Sequence, residues 1–229
     1  MIEKMSKTNN TKKYIALGGI LFLFPLVWLL TFGVFSKHNF NTMKFYGPLS
    51  TFEGDDTTDY TIPPFAFMNQ DGATVTLDSL KGKVWLAAFY SLNDEYASKI
   101  TERLLNVNWK YRDQPDIKII VFSTDCNYDT PATIRAYTNQ NTKYNSFPNK
   151  WEFLTGNQEA MQSYIRNGFL ISDLNNEAIF RLIDENGQIR GLYGNTEYHM
   201  LEAIEDIALL KKETDLRKYN ERKAAEKNH

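Results

Sequence analysis

The sequence predicts an α/β domain built on a mixed sheet with helices on both faces, preceded by one N-terminal transmembrane helix. Three observations carry that reading. Apolar runs of strand length, residues 84–90 (VWLAAFY) and 117–123 (IKIIVFS), alternate with amphipathic helical stretches. Continuous runs of this kind suit strands covered on both faces. A Glu185-Asn186-Gly187 turn between two apolar segments marks an antiparallel hairpin late in the chain. Ahead of all this, residues 14–35 form a stretch without a charged side chain, YIALGGILFLFPLVWLLTFGVF.

That stretch is long enough, at about 1.5 Å per residue, for a hydrocarbon core of about 30 Å. Tyr14 and Trp28 suit the interfaces, and Pro25 is tolerated within a membrane helix. Lys4, Lys7, Lys12 and Lys13 precede it, so residues 1–13 are expected in the cytoplasm and the main domain on the periplasmic side of a bacterial inner membrane. A cleaved signal peptide is the alternative, but its apolar region is normally about 7–15 residues. No cysteine lies near residue 30 to carry a lipid.

Residues 36–59 read as a linker that holds the domain above the membrane. They are polar, with Gly47, Pro48 and Gly54, and end in Glu53, Asp55 and Asp56. The domain is read over residues 60–210. It begins with an extended stretch through Phe65 and Phe67, a turn at Asn69–Gly72 and a short strand at 74–77, with Asp78 as cap of the turn that follows. After the 84–90 strand comes a helix at about 94–112, with Ile100, Leu104 and Val107 on one side. Thr130-Pro131 opens the next helix as cap and first helical position. A strand at 151–154, a helix at 158–167, the hairpin strands 179–183 and 188–193, and a helix from about Tyr198 complete the order. Residues 211–229 are a charged tail, either an exposed helical extension or a frayed end.

Composition excludes several functions. The chain has 229 residues, 42% hydrophobic and 24% charged, as ordinary globular domains are. A net charge of −2 leaves no basic footprint for nucleic acid. One cysteine, Cys126, rules out an intramolecular disulfide framework. No phosphate loop, paired catalytic carboxylates or nucleophile–base pair stands out, so no enzymatic activity, cofactor or small-molecule substrate is expected.

Four ordered segments resemble the Sco/SenC family. Phe67-Met68-Asn69-Gln70-Asp71-Gly72 with Val75 and Leu80-Lys81-Gly82-Lys83 looks like its entry hairpin. Ser123 to Pro131 (STDCNYDTP) is similar to its S-V-D-P-x-x-D-T-P stretch, with Cys126 where proline is usual. Trp151 to Gly156 (WEFLTG) is similar to its W-x-F-L-T-G. Leu182 to Gly187 with Ile189-Arg190-Gly191 looks like its closing hairpin. The resemblance implies a thioredoxin-like fold, a membrane anchor and a copper site. That site takes two cysteines from a C-P-x-x-x-C-type loop after the first buried strand and a histidine ahead of the hairpin. In this chain the cysteine positions hold Asn93 and Ala97, and the histidine position falls near Asn176, or Asn175 allowing for loop slack. Cu(I) prefers thiolate, thioether and imidazole donors, so the family's copper transfer and thiol exchange are not expected to carry over.

The remaining candidates divide into bland and functional readings. Cys126 is a loop filler or a reactive thiol. Asp94 and Glu95 favour the positive end of a helix dipole, and a hard-cation site is the less favoured alternative. His199 is expected to face solvent and Met200 to pack; His38 and His229 stand alone. Tyr90, Tyr96, Tyr128 and Tyr193, with Tyr144 and Phe147, are candidate partner contacts, because tyrosine is enriched at protein–protein patches. The expected function is a non-catalytic accessory module docking on a membrane complex, of respiratory type by analogy with the family. The alternatives are a copper chaperone using displaced ligands from His199, Met200, Cys126 and His38, and a thiol-redox protein using Cys126.

Overall fold

The computed structural model describes residues 43–48, 60–140, 150–172 and 179–227. The expected membrane span at 14–35, His38, Tyr144, Phe147, Asn175, Asn176 and His229 lie outside them. No helix among the described residues is long and apolar enough to cross a membrane.

A small antiparallel hairpin comes first, β1 (Ala66–Met68) and β2 (Thr74–Thr76). Its turn is built by Asn69, whose side-chain oxygen accepts from the Asp71 and Ala73 amides at 3.0 and 2.9 Å, and by Gly72 at φ +80°. The short helix α1 (Leu77–Leu80) follows directly. Its cap is Thr76, not Asp78: Thr76 and Ser79 exchange reciprocal bonds of 3.2 Å as a capping box. Then come β3 (Val84–Phe89), α2 (Ala97–Lys110), β4 (Ile117–Phe122) and α3 (Pro131–Gln140), the last capped by Thr130 through the Thr133 amide. β5 (Trp151–Leu154), α4 (Gln158–Gly168), β6 (Phe180–Ile183), β7 (Ile189–Tyr193) and α5 (Glu197–Lys227) complete the chain.

The main sheet has the order β5-β4-β3-β6-β7. β3 pairs in parallel with β4, and β4 with β5, while β6 and β7 are antiparallel to their neighbours. Successive residues of β3 point to opposite faces. Val84, Leu86 and Ala88 pack against Leu104 of α2, Ile134 of α3 and Ala203, Ile207 and Leu210 of α5. Trp85, Ala87 and Phe89 pack against α1, α4 and the small hairpin. Phe122 sits at the centre of that second layer, edge-on to Phe169 at 4.9 Å and to Phe65 at 5.4 Å, and stacked on Phe89 at 5.8 Å.

Two stretches expected to lie outside the domain belong to it. Tyr46, placed in the linker by the sequence, donates its amide to the Ile189 carbonyl at 2.9 Å and bridges the β7 edge. Of the two alternatives for the charged tail, the helical extension is the one present: the helix from Glu197 runs to Lys227, with Thr214 buried. Both depend on Arg190. Its guanidinium is fully buried, donates to Asp184 and Glu213 at 3.0 Å each and to the Met43 carbonyl at 2.9 Å, and lies 4.0 Å from the centre of the Phe45 ring. Asp184 uses its other oxygen to accept from the Asn186 and Gln188 amides at 2.9 Å, which closes the hairpin turn with Gly187 at φ +82°. Glu185 reaches Thr214 at 2.6 Å and pairs with Arg217.

Arg190→Met would leave the Asp184 and Glu213 carboxylates without their cation, and loss of about 3–5 kcal/mol is expected in urea unfolding. Gly191→Ala probes packing instead, since a Cβ there would overlap the buried Tyr193 hydroxyl. It is expected to cost about 1–3 kcal/mol in the same assay, with Tyr193→Phe costing less.

Candidate functional site

Parallel strands converge chemistry at their C-terminal ends, where the loops after β3 and β4 lie side by side. The β3 loop starts at Ser91. Asp94 accepts the Ser91 amide at 2.7 Å, and the Asp94 amide returns to the Ser91 carbonyl at 3.1 Å. These bonds hold residues 91–96 in turns, so α2 begins at Ala97 rather than at Asp94 as the sequence suggested. Asp94 thus closes the loop through a neutral amide, and with Glu95 it stays exposed.

The β4 loop is fastened to it by Asp129. This side chain is buried, accepts from the Ser123 hydroxyl at 2.6 Å and reaches across to the Leu92 amide at 3.1 Å. Burial pushes the Asp129 carboxyl above the ordinary aspartate range, outweighing the hydrogen bonds from Ser123, Leu92 and Ser91 that act the other way. The sequence held Asp129 only as one letter of a longer motif; its separation of 37 residues from Leu92 hides the pairing.

The positions expected to hold copper ligands do not form a soft-donor set. Asn93 is exposed, with its amide on the Ser91 hydroxyl at 3.1 Å. Ala97 is buried in the α2 face of the core and carries no donor. Nor do the displaced candidates among the described residues, Cys126, His199 and Met200, form a site. Cys126 packs in the α4-side layer, its sulfur 3.8 Å from the Ser123 carbonyl, and Met200 packs in the opposite layer. His199, expected to face solvent, is half-buried and folds back so that its Nδ1 accepts the Gly194 amide at 3.1 Å. Among the described residues, no group of three or more His, Cys, Asp and Glu side chains is placed to hold a metal ion. The described residues therefore do not fit Cu(I).

Of the four tyrosines expected at a contact surface, two are corrected by burial. Tyr90 lies in the core with its hydroxyl 3.1 Å from Thr101 Oγ1, and Tyr193 lies in the core donating to Asp206 at 2.7 Å. Both follow strand alternation, which points them inward beside the α2 and α5 helices. Tyr96 and Tyr128 are exposed at 56% and 46%. Tyr198, which the sequence reading passed over, is 72% exposed at the same end of the sheet, just beyond the β7 terminus that pairs with Phe180. Single exposed aromatics of this kind carry no periodic signal in sequence.

Because the Asp129 carboxyl is raised, its burial favours the protonated form. The associated stability is present below the ordinary aspartate value and is lost as pH rises through the raised folded value. The Asp129 contribution is read as a difference: the urea midpoint of the native chain relative to Asp129→Asn is expected to fall as pH rises from about 4, the ordinary aspartate value. An unchanged difference across that pH range would show that Asp129 has no raised carboxyl.

The chain as a whole is similar to known proteins. The SCO1/SenC family model matches residues 53–211. A curated relative, the SCO1 protein homolog of Bacillus subtilis (strain 168), is 36% identical over 107 residues, which cover 46% of this chain and 54% of that protein. The chain thus spans about half the length of the curated relative it matches. A SCO1/SenC family lipoprotein from Bacillus anthracis str. Ames is similar in structure, with TM-score 0.57 and 25% identity over 67% of this chain and 96% of that one. BsSco, described as a member of the Sco family of cytochrome c oxidase assembly proteins with a disulfide switch, has TM-score 0.55 and 28% identity over 69% and 95% of the two chains. With the thioredoxin-like sheet, the fastened β3 and β4 loops and a family match over most of its length, this chain belongs to the SCO1/SenC family.

Proposed function

We propose that this chain is a membrane-anchored accessory or assembly module. It docks on a membrane complex of respiratory type from the periplasmic side of a bacterial inner membrane and performs no copper or thiol chemistry of its own. The observation that carries the reading is the β3 loop: Asp129 and Asp94 keep its frame, while Asn93 and Ala97 offer no soft donor. The description of BsSco as a cytochrome c oxidase assembly protein, and of the Bacillus anthracis neighbour as a lipoprotein, supports the choice of partner and compartment by analogy.

Docking would use the loop end of the sheet, where Tyr96 and Tyr128 are exposed beside Asp94 and Glu95. Aromatic side chains bring large contact area at low conformational cost. An anchor at residues 14–35 confines chain and partner to one membrane and raises their effective concentration. The buried, core-packed Cys126 makes a mixed-disulfide role the weaker alternative.

Cu(I) competition with a chelator tests the first half of this reading. The reduced native protein is expected not to compete, and the Asn93→Cys, Ala97→Cys, Asn176→His variant is expected to compete. Tight one-to-one binding by the native chain would return the chaperone reading to first place. Co-purification from membranes tests the second half. Tyr96→Ala with Tyr128→Ala should reduce recovery of the partner complex about tenfold or more, in line with loss of two aromatic contacts. Cys126→Ser should leave recovery unchanged; a loss there would favour thiol chemistry instead.

A further inference from the structure

The opposite end of the sheet has a different character. Tyr46 joins β7 at Ile189, which is level with Ile183 and Trp85 at the start of β3, so the chain enters the domain at the end away from the β3 and β4 loops. The α5 helix arrives at the same end. Lys218 donates to the Gly82 carbonyl at 3.3 Å, and Gly82 in turn donates to the Glu185 carbonyl at 3.0 Å. Beyond Lys218 every described residue of α5 is exposed.

This overhang is basic and carries two exposed apolar side chains. Residues 218–227 carry Lys218, Arg222, Lys223 and Lys227 against Glu221 and Glu226. Neighbouring carboxylates pair with cations of their own: Asp116 and Asp215 with Lys211, Asp113 with Arg112, Glu185 with Arg217, and Asp184 and Glu213 with Arg190. Leu216 and Tyr219 are exposed three residues apart on the helix, and Lys223 lies 4.9 Å from the Tyr219 ring centre. An apolar and aromatic strip flanked by long cationic side chains suits the headgroup region of a bilayer, where their stems stay in apolar contact and their charges reach phosphate. The chain as a whole is acidic, at −2, so the sign of this end is local.

We propose that the α5 overhang, residues 216–227, is a docking surface for an anionic lipid bilayer. The charge is complementary, and the chain enters the domain at this same end. Between the end of the apolar run at Phe35 and the Arg190-bound carbonyl of Met43 lie residues 36–42 alone, a contour of at most about 25 Å. With the anchor proposed at residues 14–35, a tether of this length permits the overhang to reach the membrane, while the β3 and β4 loops lie at the opposite end of the sheet. This surface is separate from the Tyr96 and Tyr128 face, so the lipid contact and the protein contact can fail independently, though both rest on the anchor in the proposed function.

The test uses the full chain in vesicles, with Cys126→Ser and Asn220→Cys carrying a thiol-reactive fluorophore on the exposed overhang. A nitroxide-headgroup lipid reports proximity, in phosphatidylcholine alone and with added phosphatidylglycerol. Quenching is expected to be stronger in the anionic vesicles and to fall at about 0.5 M salt, where the Debye length is well below 10 Å. Each cation near an anionic leaflet is worth about fivefold in partitioning. The Arg222→Glu, Lys223→Glu, Lys227→Glu variant should therefore return quenching to the neutral-vesicle level, with an unchanged melting temperature as the control of folding. Equal quenching in the two kinds of vesicle, or quenching that survives charge reversal, would overturn the proposal.

Discussion

A buried cation organises one side of this domain. Arg190 lies on an edge strand, yet its guanidinium is fully buried because three separate pieces of chain converge on it: the β6–β7 turn through Asp184, the α5 helix through Glu213, and the entering segment through the Met43 and Lys44 carbonyls. Five donors in a rigid plane make arginine suited to such a junction, and lysine could not satisfy it. The arrangement is costly to assemble, since each ion must leave water, and costly to break for the same reason. It fixes where the chain enters the domain and why the last helix continues past the sheet instead of fraying at its edge. The Tyr46 bridge also covers part of the β7 edge, which an uncovered strand would offer to other chains.

The opposite end is held by a smaller version of the same logic. Asp129 is a buried acid whose oxygens are taken by Ser123 and by an amide from the neighbouring loop. It positions the β3 loop whether or not that loop bears ligands. The hydrogen bonds of this frame, from Asp129, Asp94 and Ser91, do not use the side chains at 93 and 97; Asn93 is exposed, while Ala97 is held to a small size by the core. The frame is thus separable from any donors on the loop.

The two ends differ in what they present. The loop end shows Tyr96, Tyr128 and Tyr198 with Asp94 and Glu95; the entry end shows lysines and arginines on the α5 overhang. A small net charge conceals this division, because opposite contributions cancel in a sum that carries no positions. Layered packing keeps the ends apart: the aromatic layer around Phe122 and the aliphatic layer under α2 and α5 fill the space between helices and sheet.

What the sequence determined by itself was local and periodic. Apolar runs fixed β3 and β4, Asn69 and Gly187 fixed the turns, and Thr130-Pro131 fixed a helix start, because each of these follows from nearest neighbours or from residue period. The identity of Asn93 and Ala97, and hence the loss of soft donors there, also needed no coordinates. Tertiary structure decided the rest. Tyr90 and Tyr193 look like contact residues until strand alternation places them beneath helices that are distant in sequence. Arg190 on an edge strand and Asp129 in a loop look solvated until partners 147 and 37 residues away enclose them. Met43 and Thr214 join the domain for that same reason: buried partners elsewhere in the chain receive them, and sequence order gives no sign of those partners.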